Sequence, residues 1–243
     1  VTRLIGLIVF LMTSVSAFGA EPVVTPVGVY GQGFEFRVTD PAAFLAAMET
    51  YRQSPSSQAY NSSVSLLQLS AKGRTTVTHR INVFYPTLDD MNKGYEVNAN
   101  SADWRDFLIS MGQSSANTGS NLFSFERVLA NQPEITNAAN FNYLYALEVT
   151  NVAEYQKALD KLLSSPAAAA FPGNLAAGQN LAMGDNKATH WVNFTAKDIG
   201  TLIAGMNQFM ATKDFGDYAK KAPAFRRVDS REVNQQLKRW VAN

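Results

Sequence analysis

The chain has 243 residues, 46% of them hydrophobic, with 21 basic and 20 acidic side chains and no cysteine. That length and apolar content suffice for one or two domains with a proper core. A nearly neutral chain without a block of like charge offers no electrostatic footprint for nucleic acid or an anionic membrane. The missing cysteine excludes disulfides, thiolate catalysis and zinc–thiolate sites.

The first residues, Val1-Thr2-Arg3, precede the apolar run Leu4 to Met12 and the small residues Thr13 to Ala17. This order of basic, apolar and small segments predicts a secretory signal peptide over residues 1–20, too short to span a bilayer. Export to the periplasm or beyond the cell is the expected localisation, with no membrane attachment after cleavage. Residues 21–33, rich in Pro and Gly, read as a leader segment.

From Phe34 the pattern becomes regular. Residues 34–39 alternate apolar and polar, as a half-buried strand does. Asp40-Pro41 supplies an N-cap and a proline at the first helical position, and Phe44, Leu45, Met48 and Tyr51 follow at helical spacing. Residues 64–71 and 76–85 read as two strands around a Lys72-Gly73-Arg74 turn. Pro86 to Asp90 opens a second helical region reaching about Met111, broken near Asn98-Ala99-Asn100. Residues 112–121, made of Gly, Ser and Asn, read as a loop before a fourth strand at 122–128.

The same order then returns. Shifted by 111 positions, Thr78-His79-Arg80-Ile81-Asn82 aligns with Thr189-His190-Trp191-Val192-Asn193, and Ser54-Pro55 with Ser165-Pro166. Strands are predicted at 144–150, 175–183, 189–195 and 225–229, with helices at 152–163 and from 199 to about 221. The match is gapless to about Gly112/Pro223, where the first copy is expected to carry about eleven extra residues. Val233, Leu237, Trp240 and Val241 have helical spacing and predict a C-terminal helical tail. The expected division is a first repeat over 34–131 and a second over 132–243.

Each repeat has the strand–helix–strand–strand–helix–strand order of a ferredoxin-like unit. One unit covers a single sheet face with its helices, and two units can cover each other's second face. The stretches Ser101-Ala102-Asp103-Trp104-Arg105-Asp106-Phe107-Leu108 and Thr212-Lys213-Asp214-Phe215-Gly216-Asp217-Tyr218 resemble second-helix ends of the dimeric α/β-barrel superfamily. That superfamily includes antibiotic-biosynthesis-monooxygenase-like, EthD-like and NIPSNAP-like domains. The resemblance implies an α+β fold, two tandem units facing each other as a fused pseudo-dimer, and no particular reaction. Haem-handling members use a helical histidine, whereas both histidines here lie on predicted strands, so no cofactor is expected.

Strand parity sorts the residues able to carry chemistry. Ile81, Val83 and their counterparts should face the helices, and Arg80, Asn82 and Phe84, matched by Trp191, Asn193 and Thr195, the opposite side. In the first strands Glu35 and Arg37, matched by Ala146 and Glu148, share that side. A core built for stability alone would avoid such polar residues. A ligand-binding set of Glu35, Arg37, His79, Arg80, Asn82, Glu148, His190, Trp191 and Asn193 is therefore expected around a shared interior. The alternative is internal polarity, with Arg37 paired to Glu148 and Asn82 to Asn193. His79 and His190 have the helix-facing parity and either satisfy a local bond or do acid–base work. No metal site is expected, because the histidines belong to different units with no carboxylate at ligand spacing. Asp103 and Asp214 sit where Ser101 and Thr212 can cap a helix.

Two functional classes remain open from the sequence. One is a binding module holding a small, partly aromatic molecule. The other is a cofactor-independent monooxygenase-like enzyme.

Overall fold

The computed structural model describes residues 29–184 and 186–241. The first half runs β1 (Tyr30–Val38), α1 (Pro41–Gln53), α2 (Pro55–Gln58), β2 (Ser63–Ala71), β3 (His79–Tyr85), α3 (Leu88–Ala99), α4 (Ala102–Ser114) and β4 (Ser115–Ala130). The second half runs β5 (Asn140–Val149), α5 (Val152–Leu163), α6 (Pro166–Ala169), β6 (Asn174–Ala182), β7 (His190–Ala196), α7 (Ile199–Met210), α8 (Lys213–Lys221) and β8 (Arg226–Trp240). Helix starts follow the local chemistry read from the sequence. Asp40 accepts from the backbone N–H groups of Ala42 and Ala43, Ser101 from Trp104 and Thr212 from Phe215. The break expected near residue 98 is the joint between α3 and α4.

The eight strands close into one barrel in the order β1-β3-β2-β8-β5-β7-β6-β4. All neighbours are antiparallel, so β1 and β5 run in the same direction across the lumen. Within each half the order is that of a ferredoxin-like sheet. The halves meet where β8 pairs with β2 and β4 with β6. The fold is thus α+β, two tandem ferredoxin-like units forming a dimeric α/β-barrel within one chain.

Three expectations are corrected by the fourth strands. The leader already holds the start of β1, since Tyr30 to Gly33 pair with both β3 and β4. The Gly/Ser/Asn segment is not a loop, because Ser115 to Asn121 are paired along β1. The C-terminal segment is not a helix, because Val233 to Trp240 pair along β2. The supposed insertion and the supposed tail cancel. Ser115 pairs with Val38 just as Arg226 pairs with Val149, so the offset of 111 continues without a gap. Even the bulges repeat: the register of β1 skips Thr118 and that of β5 skips Asp229, again 111 apart.

The apolar core lies outside the barrel, between its wall and the helices. Phe44, Met48, Leu66 and Ile81 fill the first half, and Leu147, Tyr155, Phe194 and Leu202 the second. Each such side chain contributes about 1.5–3 kcal/mol by leaving water. Ending the chain after Glu232 should therefore abolish folding. It removes the segment of β8 that covers β2, leaving the barrel open. Urea unfolding followed by circular dichroism should show no cooperative transition, whereas loss of a peripheral tail would lower the midpoint only slightly.

Candidate functional site

Several inward positions of β1, β2 and β6 are small. Gly31 and Gly33 share the inward parity of Glu35, and Ser65, Ala176 and Gly178 face them from other strands. A Cβ on Gly31 would stand 2.2 Å from the Phe123 ring, and one on Gly178 2.0 Å from the Ser124 carbonyl oxygen. Glycine at these positions lets Phe123 and Trp191 lie flat across the neighbouring strand. The space left between the walls is a cavity of about 890 Å³.

The lining is unequal in the two halves. Phe84, Phe123, Phe125 and Trp191 form one aromatic wall, with Phe125 and Trp191 edge to face at 4.9 Å between ring centroids. Their counterparts at offset 111 are Thr195, Asn234, Gln236 and, for Trp191, Arg80. One pole of the duplicated interior is apolar and the other carries amides and charge.

Arg80 is the centre of the charged pole. It donates to Glu35 on the neighbouring strand at 2.6 Å and to Glu232 of β8. Burial works against the guanidinium charge, but the two carboxylates outweigh it and raise its pKa. The triad ties the wall of the first half to the last strand of the second. Asn193 donates to Asn142 at 2.9 Å and to Thr195 at 3.0 Å. Asn142 passes the chain of bonds to Asn140, which donates to the carbonyls of Ile135 and Ala138. Gln236 donates to Thr136 and Ala138 in the same linker between the halves. These amides hold the linker against one rim of the barrel.

Of the nine residues selected from the sequence, Glu35, Arg80, Asn82, Trp191 and Asn193 line the cavity. Arg37 and Glu148 do not, which corrects their expected place in the ligand-binding set as well as the alternative pairing across the interior. They lie past the bulges at Thr118 and Asp229, on the last residues of β1 and β5, and Arg37 is exposed. Neither forms an ion pair among the described residues.

The histidines are likewise outside the cavity, as their parity demands. His79 lies under α1 against Phe44, and His190 under α5 against Tyr155 at 5.1 Å between rings. Each Nδ1 is bonded to the preceding threonine hydroxyl, at 3.0 and 2.9 Å. That hydroxyl accepts the backbone N–H of Val38 or Val149. The repeated Thr-His pair is thus a latch at the end of the β1–β3 and β5–β7 ladders. Burial lowers both imidazole pKa values, keeping the rings neutral.

Phe123, Phe125, Glu232, Asn234, Gln236 and Arg239 also line the cavity. All six belong to the fourth strands, and carrying the offset of 111 past Gly112 would have found them. A second, smaller space of about 290 Å³ lies between the second-half sheet and α5, α7 and α8, among Leu159, Met206, Phe209 and Tyr218. A haem group does not fit either space through an imidazole ligand. The chain has two histidines, neither lines either space, and both are buried under helices. Among the described residues, no group of three or more His, Asp or Glu side chains is placed to hold a metal ion. No described helix is long and apolar enough to cross a membrane.

Fold and lumen together define a single-chain dimeric α/β-barrel with an asymmetric interior. Solved structures of similar shape include a proposed monooxygenase of Fusobacterium nucleatum, with 14% identity, 88% of this chain and 92% of that chain covered, and a TM-score of 0.57. An anthrone oxidase-like protein matches at 13% identity over 88% of this chain and 96% of its own, with a TM-score of 0.57. A variant of the chlorite dismutase from Candidatus Nitrospira defluvii matches at 10% identity over 87% and 92%, with a TM-score of 0.52. These likenesses establish the fold. No protein-family model matches the chain, and no curated protein matches its sequence.

The Arg80 triad makes a direct test of interior electrostatics. Arg80→Met leaves two carboxylates in the lumen without their counterion and should cost about 3–5 kcal/mol. Adding Glu232→Gln should recover a large part of that loss in urea unfolding. Equal stability of wild type and Arg80→Met would show that the triad contributes nothing.

Proposed function

We propose that the protein binds a small, partly aromatic molecule inside the barrel. The observation that carries this reading is the cavity of about 890 Å³ walled on one side by Phe84, Phe123, Phe125 and Trp191. A barrel built only to be stable would fill this space, because interiors pack to crystal-like density and voids forfeit contacts. The volume lies within the range of small-molecule sites. The aromatic wall suits a flat apolar body, and the polar and charged side chains around it supply orientation.

The test uses 2-naphthalenemethanol as a neutral probe. It should bind the purified protein, quench tryptophan fluorescence and raise the melting temperature. Ala176→Phe, which puts a ring into the lumen, should weaken that binding at least tenfold while the protein stays folded. Unchanged binding would move the site out of the barrel.

The oxygenase reading draws only on the activities proposed for proteins of similar fold, at 14% identity or less. Oxygen consumption with electron-rich phenols is its assay. Export is also part of the proposal and rests on the residue order of positions 1–20, which lie outside the described residues. Expressed with its own N-terminus in a bacterium, the protein should be recovered from the periplasm or medium. Its N-terminus should then start after residue 17–20. Retention of Val1 in the cytoplasm would overturn that part.

A further inference from the structure

The charged groups of the lumen are not all neutralised. Arg80 has two carboxylates, and Arg127, outside the lumen, has Asp160. Arg239, near the end of β8, lines the cavity and has no carboxylate partner among the described residues. Its Nη1 donates to the Ser65 hydroxyl and its Nη2 to the Ser63 hydroxyl, both at 3.0 Å. Its Nε is buried without a partner among the described residues. The guanidinium carbon stands 4.9 Å from the centroid of the Phe84 ring. Burial, with nothing opposing it, pulls this guanidinium below its ordinary pKa.

A guanidinium kept charged in a partly dry site calls for an anion, because an uncompensated buried charge is costly. Serine hydroxyls supply dipoles but no charge. Arg52 is the other buried arginine with serine partners. It lies away from the cavity, in the last turn of α1, and one of its nitrogens reaches the Ser62 carbonyl, as a purely architectural arginine does. Arg239 differs in facing open space beside an aromatic wall. Ser65 also donates onward to Gln236, whereas Ser63 has no acceptor for its own proton among the described residues. That proton is available to an oxygen arriving at the guanidinium.

The rest of the lumen reinforces the choice. Glu35 and Glu232 make the Arg80 end acidic in excess and unfavourable to an anion. Phe84, beside Arg239, is four residues along β3 from Arg80, about 13 Å at the rise of a strand. Lys72 and Arg231 also line the cavity without a carboxylate partner among the described residues. Lys72 donates to the Val77 carbonyl and Arg231 lies over the Tyr145 ring, so Arg239 is the lining cation set beside the aromatic wall with two serine hydroxyls. The pseudo-symmetric position offers no second site: Val128, Asn174, Ala176 and Thr195 stand where Arg239, Ser63, Ser65 and Phe84 do.

Resting on the binding function proposed above, we infer that the ligand is an aromatic carboxylate, held one per chain with its carboxylate on Arg239 and Ser63 and its ring against Phe84. A carboxylate matches the guanidinium fork in charge and geometry.

The experiment compares 2-naphthoate with its neutral isostere 2-naphthalenemethanol by titration calorimetry on the purified protein. Wild type should bind naphthoate at one per chain and at least tenfold tighter than the alcohol. Arg239→Gln should reduce naphthoate affinity at least tenfold and change alcohol affinity less than twofold, its fold being checked by circular dichroism. If that variant does not fold, Ser63→Ala serves in its place, with a several-fold loss for naphthoate alone. A wild type that binds the alcohol as tightly as the acid overturns the anion site and leaves the cavity reading standing. Binding of neither compound overturns both. Equal losses for both compounds in Arg239→Gln would make Arg239 a structural residue.

Discussion

The structure depends on one constraint: a ferredoxin-like sheet has two faces and only one set of helices. The uncovered face must find another surface, and here the two copies supply it to each other. The fourth strand of each copy does the joining. β4 bonds its own β1 on one side and β6 of the other half on the other, and β8 does the same with β5 and β2. Closure leaves no sheet edge in the barrel, so a protein without cysteine gains its integrity from backbone pairing around the whole ring.

Closure also separates two kinds of interior. Outside the wall, under the helices, the side chains are mostly Leu, Val, Phe, Met and Ala, and the layer stays apolar in both halves even where the residues differ, as at Phe44 and Tyr155 or Met48 and Leu159. Inside the wall the halves have diverged. Trp191 replaces Arg80, and Asn234 and Gln236 replace Phe123 and Phe125. The helix-facing layer carries the stability common to both copies, which frees the lumen to become unlike across its own axis.

The order of elements was legible because caps, prolines and alternation agreed in both copies. Parity correctly placed Ile81 and His79 under the helices, and Arg80, Asn82, Trp191 and Asn193 inside. The outer parts of the fourth strands, beyond the predicted 122–128 and 225–229, were hidden for two physical reasons. Ser115 to Asn121 are rich in residues of low strand propensity, and pairing on β1 overrides that preference. In β8 a bulge at Leu237 interrupts the alternation, so that Val233, Leu237 and Trp240 fall four and three apart and imitate a helix. Arg37 and Glu148 were misplaced because parity along a strand says nothing about where the barrel ends.

The way β1 and β5 run in the same direction carries a consequence for how such an interior arises. Parallel mates require the pseudo-two-fold axis to run along the lumen itself. In a dimer of identical chains every inward residue would therefore face its own image. A guanidinium at the position of Arg239 would always bring a second one to the same chamber, and the pair would repel each other or demand two anions. With both copies on one chain, the image of Arg239 is Val128. Fusion thus permits an arginine at one position in the chamber without a mate at its image, whereas a dimer of identical chains would hold them only in pairs.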